Sequence, residues 1–555
     1  MRTKISVKKG VSLILGFLIS ILVSAQSIQT AFTDITEASG ISFKYTFGDY
    51  TYENILESSG SGVTIFDYNG DDWMDLYMLN GTYLEGISDL EGKIFENTPN
   101  HLYRNNGDGT FTEVAESAGV DDRHWSMAAG ALDYDGDGDT DIYLLNYGPN
   151  VFYRNNGDGT FTDVAGKLGL RGPEMLNGFT KWSVGVAFWD YNDDSRVDMM
   201  VGNFLAFDPE YVSPTTPDLM PHPSEYKGQA SMMYMQQPDG TFREVTADLN
   251  MLYPDSKCMG LTVFDYDDDG DLDMFQGNDH QFNFLFRNDG DLKFTEIAVA
   301  AGIAANDDGS PTGSMHGSIG DIDGDGAIDL LVTDLKYGAM YRNLGDGVFE
   351  DVTRNSGIAH NFSGKGQWAA NMFDYNNDGD IDIFTANGTA EELILQKPLL
   401  LDNDGNGNFK DVGVKLHPYF NTKRSGRAAA TWDFDNDGDL DILVSHIDLE
   451  AAPVFLRNDI GNSNNWLGIT LSGKKGPASA IGAKVTLYTE NTVQVKINQW
   501  ATSYLSYNDP RILFGLGNVS EVKKLHVRWP DGSEEIFDNI DINQYITISQ
   551  GEGSN

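Results

Sequence analysis

The sequence predicts an all-β protein: a seven-bladed β-propeller followed by a small C-terminal β-domain. Three observations predict it. An aspartate-rich block recurs seven times, each block is flanked by β-type runs, and after about residue 461 the blocks stop and a different strand pattern begins. At 555 residues the chain is too long for one ordinary compact domain, and a repeat architecture accommodates it by adding units.

In chain order, the first element is a leader. Arg2, Lys4, Lys8 and Lys9 precede an apolar run from Val11 to Val23, and Ser24-Ala25-Gln26 supplies a small-residue cleavage site. This pattern predicts a signal peptide over 1–25 and a secreted or otherwise extracytoplasmic mature chain, in the periplasm, at the cell surface or outside the cell. The run is short for a membrane span and no stop-transfer pattern follows, so no transmembrane segment is expected in the mature chain. A retained N-terminal anchor is the alternative. The single cysteine, Cys258, permits no intrachain disulfide and reads as a small packed residue.

The propeller is expected over 26–460. Its blocks follow D-x-(D/N)-x-D-(G)-x-x-D, with starts 53 to 75 residues apart, the scale of a propeller blade. The side chains at positions one, three, five and nine are Asp67, Asn69, Asp71 and Asp75 in the first block, and Asp133, Asp135, Asp137 and Asp141 in the second. The third has Asp190, Asn192, Asp194 and Asp198; the fourth has Asp265, Asp267, Asp269 and Asp273. The fifth has Asp321, Asp323, Asp325 and Asp329; the sixth has Asp374, Asn376, Asp378 and Asp382. Asp433, Asp435, Asp437 and Asp441 complete the set. Position six is Gly in five blocks, and is Asp72 in the first and Ser195 in the third.

A small-residue apolar stretch precedes each block, as in Met127–Leu132, and a β-type run such as Ile142–Leu145 follows. Next come a segment like Phe152–Asn156, a Gly-Asp-Gly turn, and a run such as Phe161–Val164. Such turns between alternating runs are hairpin signals, so each repeat reads as four antiparallel strands with the acidic loop between the first and second. The fourth-strand pattern occurs six times after the first loop, and its seventh copy, Phe32–Ile35, lies before it. The N-terminal strand is therefore expected to complete the last blade and close the ring, which removes two open sheet edges.

Carboxylates at alternating positions, with a turn-permitting Gly, can converge on one hard cation, and calcium takes six to eight oxygen ligands. The loops hold no His or Cys, which disfavours zinc and copper, and magnesium demands stricter octahedral geometry. The expectation is up to seven calcium sites, weaker in the first and third loops. An EF-hand reading fails because position twelve of the second block is Leu144 and both flanks look like strands. With 84 acidic against 37 basic residues and a formal charge of -47, nucleic acids and anionic membrane surfaces are excluded as partners.

The seven blocks, with their Arg-Asn-Asn-Gly-Asp-Gly-Thr-Phe hairpins, resemble the FG-GAP/VCBS repeats of integrin alpha-subunit propellers and of many bacterial secreted proteins. The last stretch, 461–555, resembles the ASPIC/UnbV domain. The residues carrying that likeness are Asn465–Leu467, Gly482–Val485, Ser503–Ser506, Phe514–Gly517 and Val527–Gly532. The whole architecture is similar to that of the secreted cartilage acidic protein family. The resemblance implies calcium ligation at the loop positions named above, and no catalytic residue.

Within 461–555, period-two strands are expected at 467–471, 483–487, 493–497 and 522–527, with a hairpin turn at Trp529–Ser533. This domain is expected either to bind a ligand or to pack on the more acidic propeller through its lysines. Just before the first strands of the blades lie Trp125, Trp182, Met259, His316, Trp368 and Arg427, positions that ring one end of a central channel. Trp125, Trp182, His316, Trp368 and Arg427 are the candidate ligand-binding residues, for an extracellular glycan or protein. The chain carries no H-E-x-x-H, G-x-S-x-G or Walker pattern, so it is read as a binding or adhesion module and not an enzyme. The alternative is a polysaccharide lyase or hydrolase acting through channel residues such as His316 and Arg427.

Overall fold

The computed structural model describes residues 31–554 apart from 291, 346, 391 and 449–451. The expected signal peptide lies outside the described residues. Among these, the strands of the first 460 residues form seven four-stranded antiparallel units, the fourth and fifth joined where Asp279 pairs with Gly313, and a separate hairpin of Met175–Leu176 and Phe179–Thr180. Blade two is typical: Trp125–Leu132, Asp141–Tyr147, Val151–Asn155 and Phe161–Asp163, paired in that order. Blade seven is assembled from both ends of the propeller. Gly426–Trp432, Asp441–His446 and Val454–Asn458 are joined by Phe32–Asp34, with Phe32 opposite Asn458. The innermost strands pack on one another in sequence, and that of blade seven packs on Val63–Phe66 of blade one, so the ring closes.

Small residues in the inner strands permit this close radial packing. A side chain at Gly130 would come within 2.5 Å of the Phe188 ring of blade three. Polar inner-strand side chains reach the neighbouring blade: Thr64 Oγ1 donates to Ala129 O at 2.8 Å and Asn371 Nδ2 to Ala429 O at 3.1 Å. Around this axis the core is dominated by buried aromatics and aliphatics such as Trp182, Phe188, Trp368 and Trp432.

A second ring ties the blades at the acidic loops. The last residue of each third strand is Asn105, Asn155, Gln236, Asn288, Asn343, Asn403 or Asn458. Its side-chain amide donates to the carbonyl of the second loop residue in the preceding blade, at 2.7 to 3.2 Å in all seven cases. Asn105 closes the circle on Phe434 of blade seven. Each of these carbonyls is thereby satisfied away from water, which the buried main chain requires.

The C-terminal domain contains two sheets. One pairs Asn465–Ser472 with Ile512–Gly517 and Tyr545–Ser549; the other orders Val493–Ile497, Lys484–Tyr488, Lys524–Arg528 and Glu534–Phe537. Leu467, Val485, Phe514, Val527 and Trp529 fill the space between them. Trp529 N–H donates to Ser533 O at 2.9 Å, forming the hairpin turn that the Pro-Asp-Gly sequence announces. No helix among the described residues is long and apolar enough to cross a membrane.

The amide ring generates a direct prediction. Asn155→Ala leaves the Tyr68 carbonyl without its donor between blades one and two, and should cost about 1–3 kcal/mol. A fall in the urea unfolding midpoint checks this; an unchanged midpoint would show that the ring contributes nothing to stability.

Candidate functional site

Each acidic loop is organised by its first and last aspartates. In all seven, the main-chain N–H of position six donates to Oδ2 of the first Asp at 2.6 to 3.0 Å. Position six has positive φ throughout, from +62° at Ser195 to +107° at Gly270. Gly adopts that conformation without strain, whereas Asp72 and Ser195 carry a steric cost. The last Asp accepts on Oδ1, at 2.7 to 2.8 Å, the main-chain N–H of the same Asn or Gln that ties the blades. Loop shape and blade-to-blade contact are therefore joined through one carboxylate.

The loops bring acidic oxygens together. Asp133, Asp135 and Asp141 offer oxygens within 4.8 Å of one another, as do Asp265, Asp267 and Asp269, Asp321, Asp323 and Asp325, and Asp433, Asp435 and Asp441. At position three, Oδ1 of Asp267, Asp323 and Asp435 is buried without a hydrogen-bond donor. Burial, reinforced by neighbouring carboxylates, pushes Asp141, Asp198 and Asp329 up to about 8, and Asp190, Asp265 and Asp321 up to about 6. Converging carboxylates, with a position-three oxygen in loops four, five and seven that is buried and meets no donor, fit a hard cation, so these Asp clusters can hold a metal ion. Loop three differs: Arg196 pairs with Asp194 and donates from Nε to Gln236 O at 3.2 Å, placing a fixed positive charge inside the loop. In loops one and six, Asn69 and Asn376 turn their amides onto Asp71 and Asp378, each at 2.9 Å.

The five channel residues do not line an open site, which corrects the expectation of a ligand-binding ring. Trp125, Trp182, His316, Trp368 and Arg427 are all buried. Arg427 lies 4.0 Å over the Trp368 ring and donates to Ser58 O, Ser425 Oγ, Gly426 O and Thr389 O. Trp182 is enclosed by Tyr147, Phe204 and Phe207. Burial pushes the His316 imidazole down to about 3. What closes the channel is a hairpin of the C-terminal domain, Ala501–Ser503 and Ser506–Tyr507, whose second arm runs parallel to the inner strand of blade one, with Val63 beside Ser506. At its tip Tyr504 packs 5.1 Å from Trp368, and Leu505 takes a left-handed conformation.

A family model of FG-GAP-like repeats matches residues 94–143, 133–201, 265–332, 321–385 and 374–444, and one for ASPIC and UnbV matches 473–555. The chain belongs to the FG-GAP-like repeat family. Cartilage acidic protein 1 of Homo sapiens is 24% identical over 493 residues, covering 86% of this chain and 60% of that protein. The Xenopus tropicalis protein of the same name is 30% identical over 283 residues, covering 47% and 40%. The chain thus spans less than two thirds of these relatives. Among solved structures, an Agrocybe aegerita lectin that recognises non-reducing terminal N-acetylglucosamine is 18% identical, with a TM-score of 0.35, covering 66% of this chain and 91% of that one.

The ASPIC and UnbV domain sits on the loop face of the FG-GAP propeller, and the segments that mark it in the sequence make the contact. Trp466 lies against position six of loop seven, where a side chain at Gly438 would fall within 1.8 Å of the indole. Gly515 fits against loop six, since a side chain there would meet Asp374 at 2.1 Å. Arg528 reaches Asp265 at 3.1 Å and Asp268 at 2.8 Å in loop four, and Lys484 reaches Asp268 at 3.0 Å. Tyr545 OH donates to Asp433 Oδ2 at 2.7 Å. Packing on the propeller, partly by opposite charge, is therefore what the structure assigns to this domain. Sequence reasoning flagged Ser503–Ser506 without anticipating that it enters the channel, because two- and three-residue strands carry too little periodicity. Tyr504→Ala should remove the plug's main contact and cost about 3 kcal/mol. Faster proteolytic cleavage in segment 459–464 is the expected readout; unchanged cleavage would mean that the hairpin does not hold the domain.

Proposed function

We propose that the chain is an exported calcium-binding propeller that acts as an extracellular binding module for a glycan or a protein. The observation that supports calcium best is the set of position-three oxygens, Asp267, Asp323 and Asp435 Oδ1, buried among other carboxylates with no donor. Asp133, Asp135, Asp137 and Asp141, and their equivalents in the other loops, would hold the ion. A bound divalent cation supplies the positive charge that lets buried carboxylates stay ionised at neutral pH. The chain's own residues supply the rest: the first Asp shapes the turn, and the last Asp fastens it to the next blade. The leader at 1–25 supports export. The enclosed positions of His316 and Arg427 withdraw support from a lyase or hydrolase working through the channel.

The test is thermal unfolding of the mature protein with excess calcium and after chelation, with bound metal counted in parallel. The expected result is a large rise in Tm with several ions per chain; no shift and no bound metal would remove the calcium reading. The pH dependence has a definite sign. In the metal-free protein the folded-state values of Asp141, Asp198 and Asp329 lie near 8, above the ordinary carboxylate range. The folded state then binds more protons than the unfolded one between about pH 4 and 8. Metal-free stability should accordingly fall as pH rises through that window, and calcium should restore it at the upper end. Equal metal-free midpoints at pH 5 and pH 8 would contradict this account.

A further inference from the structure

With the channel plugged, a large open space lies elsewhere. A cleft of about 590 Å³ separates loops one and two of the propeller from the C-terminal domain. That volume falls in the range typical of small-ligand sites, about 300–1,000 Å³. We infer that this cleft is the ligand site and that it takes a neutral oligosaccharide. The inference rests on the binding-module reading above and gives it a place and a ligand chemistry.

Of the nine tryptophans, Trp125, Trp182, Trp189, Trp368, Trp432 and Trp529 are fully buried and Trp466 nearly so. Trp73 and Trp500 alone retain appreciable exposure, and it is Trp500 that lines the cleft. Its ring is partly exposed, so the cleft wall offers an aromatic face. An indole in that state suits a ligand with an apolar face and polar edges.

Polar groups stand around it in the arrangement a hydroxylated ring requires. Thr140 and Thr547 contribute hydroxyls, and Asp72 contributes a carboxylate acceptor. Asn508 accepts the Thr431 N–H on its Oδ1 at 3.0 Å, which leaves its amide group as a donor. Charge decides between neutral and anionic sugars. The one guanidinium on the wall, Arg511, is already held by Asp509 at 2.7 Å and by Asp433 O at 2.8 Å. Asp72 adds negative charge to a chain whose formal charge is already -47. An anionic chain would meet repulsion with no cationic side chain free to receive it, whereas a neutral polyol can use every group named.

The experiment titrates the full mature chain, in calcium, with soluble cello-, xylo-, manno-, laminari- and chito-oligosaccharides, followed by calorimetry and by tryptophan fluorescence. Wild type, Trp500→Ala and Thr547→Arg are compared. Thr547 is exposed on an edge strand, so the arginine fills the cleft without disturbing the core and serves even if the Trp500 variant folds poorly. Saturable binding by wild type, weakened at least tenfold in both variants, is the expected result. Sugar binding unchanged in both folded variants would overturn the cleft while leaving the module reading intact. No binding of any of these sugars by wild type would overturn the neutral-oligosaccharide assignment. A lysine-rich peptide titrated in parallel, if it bound wild type and were lost in Thr547→Arg, would reassign the cleft to a cationic ligand.

Discussion

The structure depends on one carboxylate, used seven times. The last aspartate of each acidic block takes the main-chain N–H of a residue at the end of the third strand, and that residue's side-chain amide reaches the loop of the blade before it. A loop that changes shape therefore pulls on its own blade and on its neighbour. Inner-strand packing alone would allow the blades to slide radially; the amide ring fixes their registry at the rim where the loops lie. Metal loading and propeller geometry are thus physically the same problem, because the oxygens that would meet the ion also set the spacing of the blades.

The loop face is shared unequally. The C-terminal domain touches loops four, six and seven through Arg528, Gly515, Trp466 and Tyr545, and sends its hairpin down the axis. At loops one and two a cleft lies between the domains, bounded on the loop-two side by the approach of Gly476 to Asp133. A propeller usually offers its axial opening to ligands, and here that opening is occupied by the protein's own chain. The cleft inferred above is a seam between two domains, where side chains from both are presented together.

Much of this was legible in the sequence. The period of the blocks, the fixed aspartates and the displaced fourth-strand copy at Phe32 lead to the ring and to its closure, and Phe32 does pair with Asn458. Gly at position six signalled a left-handed turn. Position four carries the same conformation in all seven loops, and its mixture of Gly, Asp and Asn was the available signal, since Asp and Asn tolerate that region better than other side chains. The first Asn of the hairpin motif read only as turn chemistry, because its partner is a carbonyl in another blade. The channel residues were expected just before the inner strands; Trp125, His316, Trp368 and Arg427 lie within them, and their burial was not written in the sequence. Arg427 is covered by Ser58, 369 residues earlier, and Trp368 by Tyr504 of the other domain. Burial decided by such distant segments leaves no local pattern.

The plug has a consequence for the order in which the molecule can be made. Phe32–Asp34 leaves the ribosome first among the propeller strands, and its partner strand emerges some 426 residues later. The hairpin around Tyr504 comes later still. During that interval the nascent chain holds an unpaired edge at its start and a tube of aromatic wall with nothing inside it. Closing so long a loop is entropically unfavourable by only a few kcal/mol, since the cost grows with the logarithm of length. The delay is nonetheless built into the gene order, and a chain stopped at the propeller boundary would present Trp368 and its neighbours to whatever hydrophobic surface it met first.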